Sequence, residues 1–400
     1  MTDFRDPKFL QQHVDSILAF YRPNVRDFEL GGLHQNYRDD GSVFNPGHKH
    51  LVSTTRMIFN YCKAFQNASS ESEQVEYKAL AEAGLEYLLN HHWDAGRRGY
   101  NWVLQDNQPV DQTNHCYGLG FVILAFATCV ETGIGDARSH LYATWGLLNE
   151  NFWKPQSALY ADEATPDWRA VSNYRGQNAN MHCCEALLAA YAATEDPVFL
   201  DRAYTLAQTV AVTLADKADG LIWEHYTKDL EIDWNYNRDD PKNLYRPWGF
   251  QPGHQTEWAK LLLLLYQARP EEWMIERARG LFDRALEVCW DSELGGIVYG
   301  HSPDGVICDD DKYFWVQAES FAAAALLAEA TGEGQYWQWY DKIWAYSWAH
   351  FVDHTHGAWY RLLDRNNLKY SDEKSIAGGK CDYHTLGACW EVMGLLNRQC

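Results

Sequence analysis

Two histidines in this sequence are each followed, three residues later, by a glutamate. His182 and Glu185 lie in the segment NANMHCCEA, and His254 and Glu257 lie in GHQTEWAK. On a helix, residues at i and i+3 share one face, and a carboxylate beside an imidazole fixes its tautomer and raises its pKa. Such pairs are typical of general acids and bases that work near neutral pH. A third histidine, His384, lies in the segment DYHTLGACWE.

An arginine interrupts an otherwise apolar stretch of the chain. Arg56 lies in LVSTTRMIF, with no acidic residue close to it in sequence. Inside a packed protein a guanidinium needs an anionic partner or an oxyanion that develops on a substrate. The sequence leaves two interpretations open: a salt bridge to Glu257 or Glu319, or a catalytic role.

Metal and nucleotide chemistry have little support in the sequence. It contains no GxGxxG or Walker pattern, no GxSxG nucleophile elbow and no HExxH motif. The adjacent Cys183 and Cys184, next to His182, leave a zinc site as an alternative, although neighbouring helical residues point about 100° apart. We expect no metal and no cofactor. The ten cysteines are scattered without a CxxC pair, which predicts reduced thiols.

An internal repeat predicts the elements that must position these side chains. An aromatic or acidic residue, a turn, small residues and an aromatic, strand-like tail recur six times along the chain. Glycine at most of these turns permits a positive φ. The copies span 28–37, 93–102, 153–162, 217–226, 290–300 and 352–361.

Two helices fit between consecutive copies of this repeat. Six segments mix polar and apolar residues and predict outer helices: 8–21, 74–91, 136–151, 197–214, 271–289 and 334–351. Six others are apolar on every side and predict inner helices: 50–66, 114–131, 178–194, 254–268, 315–330 and 383–397. Their alternation predicts an all-α fold, one closed (α/α)6 barrel domain over 1–400 with short β-hairpin-like loops at one end. The first turns of the inner helices would then face a common central cavity.

Composition excludes some partners and favours others. Lysine and arginine number 34 against 55 acidic residues, a net charge of −21, which argues against nucleic acid and anionic membranes. Aromatic residues make up 14% of the chain, as in proteins that stack rings on sugars, although core packing is an alternative. The N-terminus has no apolar leader segment and the longest leucine run, Leu261–Leu265, is too short to span a bilayer. We expect a cytoplasmic protein.

Three segments resemble the N-acylglucosamine 2-epimerase superfamily, particularly its aldose–ketose isomerase and mannose isomerase branch. They are YRGQNANMH (174–182), GFQPGHQTEWAKLLL (249–263) and GKCDYHTLGACWE (379–391), with support from TTRMIF (54–59). The resemblance covers essentially the whole chain. It implies an (α/α)6 barrel that acts on sugars without a metal or an organic cofactor.

The resemblance also implies roles for individual residues. His254 and His384 match the two family histidines that flank an open-chain sugar, with His384 carrying the proton at carbon and His254 assisting ring opening and proton exchange between O1 and O2. The supporting residues would stabilise the enediolate (Arg56), contact hydroxyls (Tyr117 and His182) and orient or charge the histidines (Glu257 and Glu319). Val52 stands where many relatives carry a tryptophan, so Trp248, Trp315 or another ring would have to supply the sugar platform.

The expected function is a cofactor-independent isomerase that interconverts D-mannose, or a close analogue such as D-lyxose, with its 2-ketose through a cis-enediol. A sugar 2-epimerase on the same fold is the nearest alternative. An inverting glycoside hydrolase is a further one, with Glu257, Glu319 or Asp382 as its acids, and a non-catalytic sugar-binding protein is the last. The expected partner is a small monosaccharide, and the expected state is a monomer or homodimer.

Overall fold

The computed structural model describes residues 2–243 and 245–398. Twelve α-helices, α1 to α12 in chain order, account for about half of the described residues. Two of them, α3 and α7, end in π-helical turns over Leu88–His92 and Thr209–Leu214. The helices are Pro7–Tyr21, Leu51–Gln66, Glu71–Tyr87, Cys116–Thr132, Arg138–Asn151, Gln177–Thr194, Pro197–Gln208, Pro252–Ala268, Glu272–Cys289, Phe314–Thr331, Gly334–His350 and Tyr383–Asn397.

The helices form two concentric rings. The even-numbered helices pack against one another in order, and α12 packs on α2 to close the inner ring. Each odd-numbered helix packs on the outside, as α3 does on α2 and α9 does on α8. The predicted (α/α)6 barrel is confirmed, and each predicted helix starts within three residues of its observed start. None of the helices in the described part of the chain has the length and hydropathy of a membrane-spanning segment.

Local sequence signals set the ends of several helices. Asp6 and Asp196 cap α1 and α7 by accepting a hydrogen bond from the backbone amide two residues on, and Pro7 and Pro197 follow them at the first helical position. The apolar inner helix α10 ends at Gly332, which has a φ of 70°. These stops keep the turns between inner and following outer helices short, so each pair forms a compact antiparallel unit.

All the strands of the described chain lie in the segments that lead from an outer helix into an inner one. They pair antiparallel, mostly in twos, and the pairing of β1 with β17 joins the last segment to the first. The predicted hairpin-like loops are therefore gathered at one end of the barrel. In order, β1 to β17 are Tyr37–Arg38, His48–His50, Trp93–Asp94, Gly99–Tyr100, Val103–Gln105, Gln108–Asp111, Asn114–His115, Trp153–Lys154, Leu159–Tyr160, Glu163–Ala164, Arg175–Gly176, His225–Tyr226, Gly300–His301, Ile307–Asp309, Lys312–Tyr313, Leu362–Leu363 and Glu373–Ser375.

The repeated turns do not all place glycine where the sequence predicts a positive φ. Gly296 does have a φ of 82°, and a Cβ there would come within 2.4 Å of the Tyr346 ring. In the second and third copies the left-handed residues are instead Arg98 and Ala158, with φ of 53° and 50°. The hairpins therefore also form where a residue other than glycine has the positive φ. A tyrosine ring packed so close to the turn that only glycine fits is not present at every copy.

Buried ion pairs tie these turns to the strands that follow. In two copies a turn aspartate accepts backbone amides and also binds the ammonium of a lysine on the strand before the next inner helix. Lys49 Nζ lies 2.7 Å from Asp27, and Lys374 Nζ lies 2.6 Å from Asp353. Because each lysine also donates to backbone carbonyls, the strand entering the inner helix is held in a defined position.

Candidate active site

A cavity of about 710 Å³ opens at the strand-bearing end of the barrel. Its wall is formed largely by the first turns of the inner helices and by the strands before them. The structure brings most of the predicted site residues to this wall: Arg56, Tyr117, His182, His254, Glu257, Trp315 and His384. Glu319 lies directly behind the wall, and Trp248 lies elsewhere.

His384, in the first turn of α12, is held by a carboxylate from α10. Its Nδ1 lies 2.7 Å from Glu319 Oε1. An ionised carboxylate only accepts hydrogen bonds, so Nδ1 carries the proton and Nε2 keeps a free lone pair. Burial lowers the pKa of His384 to about 4, although the hydrogen bond to Glu319 opposes the shift. The ring is therefore neutral near neutral pH and has a basic nitrogen to offer.

His254, in the first turn of α8, is held in the same way by a residue that the sequence analysis missed. Its Nδ1 lies 3.0 Å from both carboxylate oxygens of Glu224, which precedes β12. Gln177 donates a further hydrogen bond to that carboxylate. The prediction that Glu257 pairs with His254 is wrong, because His254 Nδ1 points across to the β12 segment rather than along its own helix.

His182 and Glu185, the other i, i+3 pair, are in contact as predicted, but the pKa of His182 does not rise. His182 Nδ1 lies 2.9 Å from Glu185 Oε2. Burial nevertheless lowers the pKa of His182, and the nearby carboxylate does not reverse the shift. The expected rise is therefore wrong for His182, since the loss of hydration outweighs the single charge beside its ring.

Glu257 is a buried carboxyl group without a hydrogen-bond partner in the described part of the chain. Its Oε1 is 3.8 Å from His182 Nδ1. Burial and the neighbouring charge of Glu319 raise the pKa of Glu257 well above its ordinary value. Its protonated form is therefore favoured, and in that form the group can donate one hydrogen bond and accept another.

Arg56 lies among aromatic rings rather than carboxylates. Its Nη2 donates to the Tyr117 hydroxyl at 3.1 Å, and its guanidinium carbon lies 4.4 Å from the Phe121 ring centroid and 5.0 Å from that of Tyr383. Its Nε has no hydrogen-bond partner within residues 2–243 and 245–398. The alternative of an ion pair to Glu257 or Glu319 is wrong. A buried guanidinium with a free donor at a cavity wall is suited to an oxyanion on a ligand.

Aromatic rings flank the histidines, but not all those predicted. The Trp315 ring lies 5.1 Å from that of His254 and 5.7 Å from that of His384, so both histidines border one indole. Trp248 instead donates to the Trp234 carbonyl and lines a separate surface pocket. Trp102, which the sequence analysis did not single out, also lines the cavity beside Val52.

At the cavity, two sets of groups lie close enough to share an ion: His182, Glu185 and Glu257, and Glu257, Glu319 and His384. Lys260 Nζ already lies 2.6 Å from Glu319 and 3.8 Å from Glu185. The ammonium of Lys260 therefore supplies the positive charge that a metal ion would supply here. We interpret these carboxylates as partners of Lys260 rather than as metal ligands. The zinc alternative at Cys183 and Cys184 is wrong, because their sulfurs face Cys116 and the Ala203 carbonyl respectively.

The segment between β12 and α8 covers one side of the cavity. It contributes Tyr236, Asn237, Asn243, Tyr245 and Arg246 to the wall. Arg246 Nη2 lies 3.0 Å from Glu163, a residue of β10 on the neighbouring segment. This ion pair fastens the covering segment to the body of the barrel.

The comparisons with known proteins fit this geometry. The family model for N-acylglucosamine 2-epimerase matches residues 31–388. The chain belongs to this family. A D-mannose isomerase from Marinomonas mediterranea is 50% identical over 394 residues, covering 98% of each chain. A crystal structure of a D-mannose isomerase superposes with a TM-score of 0.96 at 50% identity, covering 99% of this chain and all of that one. A cellobiose 2-epimerase from Bacteroides fragilis is 21% identical over 393 residues, covering 94% of this chain and 96% of that one.

We predict that Glu224→Gln lowers kcat about 100-fold and changes KM less than threefold, measured with the substrate proposed below. Glutamine keeps a hydrogen bond to His254 Nδ1 but removes the charge that stabilises the ring in its protonated form. Glu131→Gln is the matched control, since Glu131 binds Lys63 at the far end of α4, and it should leave kcat unchanged. A normal kcat in Glu224→Gln would contradict the role given to this carboxylate.

Proposed function

We propose that the protein, as a single domain over residues 1–400, is an aldose–ketose isomerase that interconverts D-mannose and D-fructose without a cofactor. The observation that carries the proposal is the pair of buried histidines, His254 and His384. Each is bound through Nδ1 to a buried carboxylate and borders the same cavity and the same indole. The D-mannose isomerase relatives support the choice of substrate.

The carbon step is assigned to His384. Its Nε2 lone pair removes the C2 proton of the open-chain aldose, and the electron pair of the broken C–H bond moves into a C1–C2 double bond. The carbonyl π electrons move onto O1, giving a cis-enediolate. The imidazolium exchanges this proton with solvent and delivers a proton to C1, using the electron pair of the C1–C2 double bond. The O2–H proton passes to O1, and the C2 carbonyl forms. The Glu319 carboxylate beside Nδ1 stabilises the imidazolium between these two transfers.

The oxygen steps are assigned to His254 and Arg56. His254, oriented by Glu224, moves protons during ring opening and between O1 and O2. The guanidinium of Arg56, which lines the cavity, stabilises the enediolate oxygen as its charge develops. His182, Tyr117 and the Glu257 carboxyl bind hydroxyl groups, and Trp315 stacks on the sugar face.

The 2-epimerase outcome is the second candidate, since the family includes a cellobiose 2-epimerase relative. It differs only in returning the proton to the other face of C2 rather than to C1. The hydrolase alternative has less support. Asp382 is bound by the Tyr21 hydroxyl and the Thr385 hydroxyl and does not line the cavity. Glu319 lies behind His384 and does not reach the cavity either.

Incubating the purified protein with D-mannose and separating the products by chromatography tests the proposal. We expect D-fructose as the first product, and D-mannose when the reaction starts from D-fructose. Glucose as the first product from mannose would overturn the isomerase assignment in favour of an epimerase. Release of reducing sugar from a mannose oligosaccharide, with no change in free mannose, would favour a hydrolase.

We also propose a cytoplasmic enzyme that acts as a monomer or a homodimer. The nine cysteines in the described residues are all free thiols, and all but Cys308 are buried. Free thiols in this number are typical of proteins in reducing compartments. Gel filtration with light scattering measures the oligomeric state directly.

A further inference from the structure

Lys260 is a buried cation to which the mechanism above gives no role. It lies on α8, six residues after His254, and is only 8% exposed. It lies behind the cavity wall rather than on it. An ammonium group is costly to bury unless carboxylates compensate its charge, so its surroundings indicate what it does.

The ammonium contacts two carboxylates, and each of them holds a cavity histidine. Lys260 Nζ lies 2.6 Å from Glu319 Oε2, and the other oxygen of Glu319 binds His384 Nδ1. The same Nζ lies 3.8 Å from Glu185 Oε1, and the other oxygen of Glu185 binds His182 Nδ1. One cation therefore connects α6, α10 and α12 behind the site.

We propose that Lys260 is a positioning residue for the isomerisation. Its charge keeps Glu319 and Glu185 ionised, so that His384 and His182 present neutral rings with Nδ1 protonated and Nε2 free. This inference rests on the proposed function, since it assigns a purpose to the same site. Behind the sugar, the protein then contributes three successive groups: a histidine, the carboxylate that binds it and the ammonium that binds the carboxylate.

The pKa shifts in this cluster agree with that geometry. Burial alone would raise the pKa of Glu319, but the charge of Lys260 and the hydrogen bond from His384 hold it below its ordinary value. Burial would likewise raise the pKa of Glu185, but the hydrogen bond from His182 and the charge of Lys260 lower it. The pKa of Lys260 is itself raised, because the charges of Glu319 and Glu185 outweigh its burial.

The ammonium of Lys260 lies beside two carboxylates, Glu319 and Glu185, so its charge compensates theirs. The other titratable or charged groups that face the cluster are Arg56, Glu257, His182, His254, His384, Tyr117, Tyr383 and Glu391. Without Lys260 the cluster is more negative by one charge, so the carboxylates and His384 all bind protons more tightly. A protonated Glu319 no longer stabilises the His384 imidazolium, which lowers kcat at pH 7. A protonated His384 cannot act as the base, which moves the acid limb of the profile to higher pH.

The test is the pH profile of kcat for Lys260→Met and Lys260→Gln with D-mannose. For both variants we expect kcat at pH 7 to fall about 10- to 100-fold. The acid limb of the profile should move to higher pH by about one unit, with KM within threefold of wild type. Lys260→Arg keeps the charge, so its acid limb should stay in place even if the larger side chain lowers kcat.

Lys374→Met is the matched control, because Lys374 is also a buried lysine and is paired with Asp353 outside the cavity. It should lower the temperature of unfolding without moving the acid limb. An unmoved acid limb in folded Lys260→Met would overturn the inference. If neither neutral variant folds, the ammonium is a structural group and the inference is also overturned. Wild-type protein that does not isomerise mannose would instead refute the proposed function.

Discussion

His384→Asn is expected to lower kcat for the conversion of mannose to fructose roughly 10³- to 10⁴-fold. Asparagine approximates the size of the imidazole and can still donate to Glu319, but it has no basic nitrogen to accept the C2 proton. Because the loss falls on the chemical step, KM should change little. Steady-state kinetics and the rate of solvent deuterium entry at C2 should fall together.

His140→Asn is the matched control for this variant. His140 is exposed on α5 and stacks on Phe126, away from the cavity, so its replacement should leave kcat unchanged. The account of His384 would be abandoned if His384→Asn kept the full rate of deuterium exchange at C2.

The activity of the wild-type protein should depend on pH through the protonation of His384. Burial lowers the pKa of His384 to about 4, and the base must be unprotonated to act. Activity should therefore persist below pH 6, where an ordinary histidine becomes protonated, and should fall as the pH drops through about 4 to 5. Circular dichroism over the same range separates this loss from unfolding in acid.

Arg56→Met is expected to lower kcat about 10²- to 10³-fold, the usual effect of removing one donor from a developing oxyanion, which corresponds to about 3–4 kcal/mol. Methionine occupies similar volume between Phe121 and Tyr383 but offers no donor. Arg56→Lys should not restore the activity, because a compact ammonium cannot reproduce the planar contacts with both rings.

Arg202→Met tests whether this effect is specific. Arg202 is half-buried, with its guanidinium carbon 3.5 Å from the centroid of the Trp153 ring, and it lies outside the cavity. Its loss should reduce stability and leave kcat within twofold of wild type. Equal losses of kcat in the two variants, or a fully active Arg56→Met, would contradict an oxyanion role for Arg56.

The fold could be predicted from the sequence because the polarity of the helices and the spacing of the repeated turns indicate the same architecture. Inner helices such as α4 and α10 are apolar on all sides, outer ones have a polar face, and the repeated turns mark each entry into the inner ring. The regular spacing also placed the histidines at equivalent positions, so their meeting at one cavity followed from the architecture. The structure therefore places these histidines at the cavity, as their positions near the starts of the inner helices predicted.

Predictions that depended on which groups contact across the barrel were less successful. Glu224 was missed because its segment is an irregular strand entry, and no spacing rule connects it with His254. Its signal was an acidic residue inside the aromatic tail LIWEHY of the fourth repeat. Lys260 was missed because no spacing rule connects it with Glu319 and Glu185 on other helices. The direction of the pKa shift of His182 was wrong because a sequence shows a neighbouring charge but not the depth of burial.

In the proposed reaction, a histidine on this cavity moves a proton to and from a carbon of an open-chain sugar. One NMR time course of wild-type protein with D-mannose in D2O tests this step. We expect fructose with deuterium at C1 and accumulation of deuterium at C2 of the mannose that remains, because the proton on the His384 imidazolium exchanges with solvent. Fructose that forms at the normal rate with the C2 hydrogen fully retained at C1 would contradict this mechanism, since a hydride shift gives that result.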